Sequence, residues 1–190
     1  MANLFYVIGA SGSGKDSLIQ YARSHLAESA SVVFTHRYIT RSADAGGENH
    51  VELNENEFFS RVKMRCFSMN WYSHNTYYGI GIEINQWLAL GLNVVVNGSR
   101  EYLEEAAKKY PELIPVLVGV DQDILRERLK DRGRENEKQI DLRLKQARRL
   151  EAKVSHPKLI KIENNDDLNV AGEQLIDIIY KQKQKQSQCA

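Results

Sequence analysis

The stretch Gly9-Ala10-Ser11-Gly12-Ser13-Gly14-Lys15-Asp16-Ser17 constrains this chain more than any other. It follows an apolar run, Leu4-Phe5-Tyr6-Val7-Ile8, and leads into a segment that places Leu18, Ala22 and Leu26 on one helical face. Strand, glycine loop and helix in that order are the context of a phosphate-binding P-loop. Glycines let the backbone wrap around phosphates, and the N–H groups at the helix start point at the negative charge. Lys15 is placed to reach the β- and γ-phosphates of a nucleoside triphosphate, so ATP is the expected donor. One position departs from the pattern. Where such a loop carries Ser or Thr to bind Mg²⁺, this chain has Asp16. Ser17 comes one place late, about 100° further round a helix. Asp16 is itself a hard oxygen ligand and is read as the Mg²⁺ residue, directly or through water.

At 190 residues the chain suffices for one sizeable core with small insertions, and it is read as a single domain, 1–190. A net charge of +1 gives no global case for nucleic acid or an anionic membrane, and neither is expected as a partner. No apolar run approaches a membrane span, and the first strand begins where an export signal would stand. Cys66 and Cys189 are far apart and lack metal-ligand companions, so both are expected to be reduced thiols in a cytoplasmic protein. The polar tail at 182–188 is expected to fray.

Further strands are expected at 31–34, 93–98, 113–120 and 158–162, with helices between them near 84–90, 100–110, 124–129, 140–147 and 168–178. Alternation of this kind predicts an α/β fold with a doubly wound, five-stranded parallel sheet, its ligands at the carboxyl ends of the strands. Residues 37–82 are irregular and rich in aromatics, too apolar for a linker, and read as an inserted subdomain over the phosphate site. The charged stretch 131–142 reads as a lid.

Outside the loop the signals are basic. Arg37 and Arg41 flank a strand end, where guanidinium forks suit an acceptor phosphate. Arg132 and Arg143 are placed to approach from either side of a closing lid and to stabilise charge on a transferred phosphoryl group. Arg134 reads equally as a solvated surface residue. Tyr77 and Tyr78 read either as core aromatics or as hydroxyl contacts to phosphate. His36, His50 and His74 lack metal-ligand spacing and are read as structural or substrate-orienting, with an anionic contact open to His50.

Together these residues resemble the guanylate kinase family. The matching pieces are the P-loop at 9–15, Thr40-Arg41, Gly47-Glu48, Tyr77-Tyr78-Gly79, the run from Arg128 to Arg134, and Ile140 with Arg143-Leu144. The resemblance implies a core sheet, a monophosphate-binding subdomain at 37–82, a mobile lid at 131–142, and transfer of the ATP γ-phosphoryl group. It implies that Arg41, Glu48, His50 and Tyr78 surround the acceptor phosphate, that Arg132 and Arg143 stabilise transfer, and that Asn164 lies close to the donor's adenine.

The departures argue against a guanine acceptor. The carboxylate that family members carry upstream of the second tyrosine is missing from Ser68-Met69-Asn70-Trp71. Ile80 stands where a hydroxyl is usual, and the acidic strand end is replaced by Asn97-Gly98-Ser99. Asp16 reads as a compensating acid. The closer resemblance is to the ribose 1,5-bisphosphate phosphokinases of phosphonate breakdown, at residues 11–17, 36–41, 47–50, 96–100 and 132–136. It implies a small phosphorylated sugar as acceptor, with Arg37 and Arg100 offsetting repulsion between two polyanions. A nucleoside monophosphate kinase and a kinase-like interaction domain remain alternatives. The oligomeric state stays open, a homodimer included.

Overall fold

The computed structural model describes residues 2–26, 31–43, 48–133 and 135–187. Readings that rested on Asp44, Ala45, Gly46, Gly47, Arg134, Gln188 and Cys189 lie outside those residues. Two sheets form. In the larger, β1 (Leu4–Gly9), β2 (Val32–Phe34), β7 (Asn93–Asn97), β8 (Ile114–Gly119) and β9 (Ile160–Glu163) lie in the order β2-β7-β1-β8-β9, each parallel to its neighbours. The smaller joins β3 (Arg37–Ile39), β4 (Val51–Glu52), β5 (Phe67–Ser73) and β6 (Thr76–Gly81) in the order β4-β3-β6-β5. It spans most of the stretch read as an insertion and includes α2 (Glu55–Lys63).

β1 explains the layering. Side chains alternate across a strand, and every one from Leu4 to Ile8 is buried. Phe5 and Val7 face α1 (Lys15–His25) and α7 (Leu168–Ser187), through Leu18, Ala22, Ala171 and Leu175. Leu4, Tyr6 and Ile8 face α3 (Ile84–Ala89) and α4 (Leu103–Lys109), through Ile84, Leu103 and Ala106. A strand apolar on both faces belongs in the middle of a parallel sheet, and β1 lies there.

The remaining helices, α5 (Gln122–Asp131) and α6 (Glu137–Glu151), have a small cluster of their own: Leu125, Leu129, Ile140, Leu144 and Ala147 pack with Ala10 of the glycine loop. Burying each of the leucine and isoleucine side chains is worth about 1.5–3 kcal/mol. The exposed pair Arg126–Asp141, at 2.6 Å, is worth about 1 kcal/mol or less. Packing therefore seats these helices against the loop, and the surface charges contribute little. Asn136 caps α6 reciprocally with Gln139, so a fully formed helix end starts within the stretch read as a lid.

Some boundaries differ from expectation. α4 begins at Leu103, because the Ser99 N–H donates to the Tyr6 hydroxyl at 3.0 Å and holds the chain in a turn through Arg100. β9 starts at Ile160, later than read. α7 continues to Ser187 and takes in most of the tail expected to fray. Leu168 is 38% exposed, and the buried face of α7 is carried by Ala171, Leu175, Ile176 and Ile179. Pro115 sits inside β8, but pairing with β9 begins only at Val116. Among the described residues no helix is long and apolar enough to cross a membrane.

Candidate active site

The loop leaving β1 turns at Gly12 and Gly14, whose φ values are 92° and 84°. A Cβ on Gly14 would lie 2.3 Å from the Asn164 side-chain nitrogen. That nitrogen donates to the Ser13 carbonyl at 2.7 Å, and the Arg128 guanidinium reaches the same oxygen at 3.5 Å. Asn164 thus braces the loop from the end of β9. Gly14 is the N-cap of α1 and supplies no side-chain cap, which leaves the first N–H groups of the helix open to an anion.

An open cleft borders this loop. Gly9, Ala10, Ser11, Gly12, Gly14, Lys15 and Asp16 line one wall. Arg37, Arg41, Tyr78, Arg100 and Arg132 line it from other elements. Ser13 is fully buried beneath the loop and Ser17 is exposed outside the cleft, so neither shares its lining with the rest of the loop.

A chain of contacts ties the loop to the second sheet. The Lys15 ammonium lies 2.9 Å from Asp16 Oδ1. Asn97, buried at the end of β7, donates through Nδ2 to Asp16 Oδ1 at 2.7 Å and to Glu48 Oε2 at 2.6 Å. Glu48 in turn accepts from Arg37 Nε at 2.7 Å and from Arg37 Nη2. The guanidinium carbon of Arg37 stands 4.8 Å from the centre of the Tyr78 ring, and Tyr78 stacks on Trp71 at 5.6 Å. Two carboxylates, each paired with a cation, therefore meet at one amide nitrogen.

Electrostatics follow from this arrangement. Burial pushes the Asp16 carboxyl upward. Lys15, Arg37 and the Asn97 amide outweigh that and hold it well below the usual carboxylate range. Burial would lower the Arg37 pKa, but its paired and charge-coupled neighbour Glu48 raises it instead. Burial lowers Arg100, with Glu151 and Glu101 opposing.

Other expected residues lie elsewhere. His50 is 7% exposed and outside the cleft lining; its ring nitrogens lie 3.1 Å from the Glu48 carbonyl and 3.0 Å from that of Arg41. Its ring therefore lies between the backbone carbonyls of residues 41 and 48. Tyr77 points to the opposite face of β6 from Tyr78 and packs with Phe58, Phe59 and Tyr72. Arg143 pairs with Glu135 at 2.8 Å, outside the cleft lining. Arg132 reaches Ser11 Oγ at 3.3 Å.

Trp71, Ser73, Ser99, Glu101 and Leu150 also line the cleft, and sequence reasoning gave none of them a site role of its own; His74, read as structural or substrate-orienting, lines it too. Ser73 and His74 come from the β5–β6 hairpin, where His74 and Asn75 have φ values of 49° and 56°. Paired positive φ values are the signature of a tight hairpin turn, and with no glycine present the sequence gave little sign of it.

The residues fit a triphosphate and its cation. Gly12 and Gly14 take the positive φ values that turn the loop, α1 opens without a cap, and Asp16 is an ionised oxygen donor. Among the described residues no three His, Cys, Asp or Glu side chains gather. A single carboxylate at such a loop suits Mg²⁺, which keeps water and phosphate oxygens as its other ligands.

A parallel sheet with a glycine loop after its central strand, and a basic cleft at the carboxyl ends of its strands, defines a P-loop kinase. The model of the guanylate kinase family matches residues 1–182. Ribose 1,5-bisphosphate phosphokinase PhnN of Psychromonas ingrahamii is 52% identical over 182 residues, 96% of this chain and 92% of that protein. The protein of the same name from Thiobacillus denitrificans is 53% identical over 178 residues, 93% of this chain and 92% of its own length. Guanylate kinase from Anaplasma phagocytophilum shares the fold, with a TM-score of 0.72 at 13% identity, covering 95% of this chain and 85% of that one. The chain belongs to the guanylate kinase family, within its ribose 1,5-bisphosphate phosphokinase PhnN branch. P-loop kinases of this kind in general use ATP with Mg²⁺.

Proposed function

We propose that this chain transfers the γ-phosphoryl group of ATP to the C1 phosphate of ribose 1,5-bisphosphate, giving 5-phospho-α-D-ribose 1-diphosphate and ADP. The observation that carries the reading is relatedness to the PhnN kinases at about half of all positions over nearly the whole chain. On this reading the acceptor is a small phosphorylated sugar met in the cytoplasm, and neither nucleic acid nor membrane takes part.

The chemistry needs no general base. An oxygen of the C1 phosphate is already ionised at neutral pH; it forms a bond to the γ-phosphorus while the bond to the β–γ bridging oxygen breaks, and that electron pair leaves on ADP. The loop N–H groups and Lys15 hold the donor phosphates. Arg41 and Tyr78 receive the acceptor's C1 phosphate. Glu48 fixes the Arg37 guanidinium against the Tyr78 ring, so that clamp is set before the acceptor arrives. Arg132 lies beside Ser11, where positive charge meets the transferring group. Arg143 joins it only by exchanging Glu135 for phosphate. Asp16 would hold Mg²⁺, which when bound neutralises phosphate charge.

Product analysis with Mg²⁺-ATP and either ribose 1,5-bisphosphate or GMP tests the reading. The expected products are ADP with 5-phosphoribosyl 1-diphosphate, and little GDP. GDP as the dominant product would overturn it.

A further inference from the structure

The cations of the cleft fall into two groups. Lys15 is paired with Asp16, and Arg37 with Glu48. Arg132 is engaged at Ser11 of the donor loop. Arg41 and Arg100 form no ion pair among the described residues. The Arg41 Nε is buried without a hydrogen-bond partner. Arg100 donates through Nη1 to the Ala147 carbonyl of α6 at 3.0 Å, which fixes the side chain without neutralising it. An arginine partly removed from water with no carboxylate in direct contact keeps room for an anion, and Glu101 and Glu151 reach Arg100 only through space. Two such arginines, one after β3 and one after β7, stand in the wall of one cleft.

Arg41 matches the acceptor-phosphate position of the family. Arg100 shares the cleft lining with Ser73 and His74, brought there by the β5–β6 hairpin, and Arg100 and His74 lie within electrostatic reach of each other. Burial and the neighbouring Arg143 lower the His74 pKa, Glu101 raises it and Arg100 lowers it, so the imidazole sits in the field of all three. A hydroxyl, an imidazole and an unpaired guanidinium are donors for anionic oxygen.

We propose that Arg100, with Ser73 and His74, forms a second phosphate subsite that binds the non-reacting 5-phosphate of the acceptor. The proposal rests on the ribose 1,5-bisphosphate reading and names the residues that give it selectivity. Glu101, on the same wall, accepts hydrogen bonds from the ribose hydroxyls and not from phosphate. Arg37 is then a positioning residue, its guanidinium occupied by Glu48, and the two acceptor phosphates are shared between Arg41 and Arg100.

Two sugar monophosphates, each carrying one of the two phosphates, separate the subsites as competitive inhibitors against ribose 1,5-bisphosphate. Arg100→Gln is expected to raise the KM for the bisphosphate and the inhibition constant of ribose 5-phosphate together, by about 10- to 100-fold, as for loss of a charge-assisted contact. The inhibition constant of ribose 1-phosphate should stay within about 2-fold, which also reports an intact fold. Arg100→Lys should recover part of the loss. His74→Asn tolerates the positive φ of this exposed turn, and should raise the same two constants by about 3- to 10-fold. Equal loss toward both monophosphates, or none toward ribose 5-phosphate, overturns the subsite while leaving the activity standing. Wild-type enzyme inactive on the bisphosphate overturns the activity itself, and the subsite with it.

Discussion

Asn97→Asp exchanges an amide for a carboxylate of nearly the same shape at the point where Asp16 and Glu48 meet. The amide nitrogen it removes donates at 2.7 and 2.6 Å to two carboxylate oxygens. Hydrogen bonds to charged groups are worth about 1.5–3 kcal/mol each, so the two together represent about 3–6 kcal/mol. Asn97 is 7% exposed, so solvent cannot replace them. The new carboxyl, caught between two anions, has its folded pKa raised above the unfolded value of about 3.9. As a protonated acid it donates to one neighbour and costs one bond; as an anion it costs both and adds repulsion.

The sign follows by linkage. Between the unfolded and raised folded pKa values the folded state holds a proton that the unfolded state has released. The variant therefore loses stability relative to wild type as pH rises, by up to about 1.4 kcal/mol per unit, until the folded pKa is passed. Urea unfolding of wild type, Asn97→Asp and Asn97→Ala at pH 5, 6, 7 and 8 measures this. The expected deficit of Asn97→Asp at pH 7 is about 3 kcal/mol or more and smaller at pH 5, with the Asn97→Ala deficit flat across the range. Adding Asp16→Ser removes one flanking anion and should return part of the loss. A flat Asn97→Asp deficit, or one no larger than that of Asn97→Ala, would refute the reasoning.

Two further outcomes are expected. Glu48→Gln leaves the buried Arg37 without its counter-charge and should cost about 3 kcal/mol in urea unfolding, toward the low end for a broken buried pair because the amide still accepts one bond; the double variant with Arg37→Met should lose less than the single. Gly14→Ala forces φ +84° on a residue with a Cβ and drives that atom against Asn164, so equilibrium binding of ATP should weaken by about 10-fold or more from roughly 1–2 kcal/mol of backbone strain and the displaced brace.

Much of the fold was legible because it is written in local pattern. The glycine spacing of the loop, the run Leu4-Phe5-Tyr6-Val7-Ile8 and the β-branched Val94-Val95-Val96 each declare an element within a few residues. The cleft's cations were visible for the same reason. What joins them was not: residues 16, 48 and 97 meet only once strands distant in sequence lie side by side, and no window along the chain contains all three. The same limit explains His50, whose polar ring suggested a ligand contact but spans two backbone carbonyls. Tyr77 and Tyr78 look equivalent in sequence, and alternation across β6 separates them.

The register of the central strands has a wider consequence. Val7 lies opposite Asn97 in the ladder between β1 and β7, and the Gly98 N–H donates to the Val7 carbonyl at 2.8 Å. The glycine loop and the residue at the tip of β7 are thus spaced by backbone pairing alone, whatever side chains they carry. The identity at position 16 or 97 can be exchanged without moving the backbone that carries it, so the chemistry at these strand ends can change as a substitution and not as a rebuilding. A scaffold that keeps its shape against a guanylate kinase at 13% identity has that freedom. Design of a new acceptor specificity would begin with the side chains at these strand ends and leave the ladder beneath them alone.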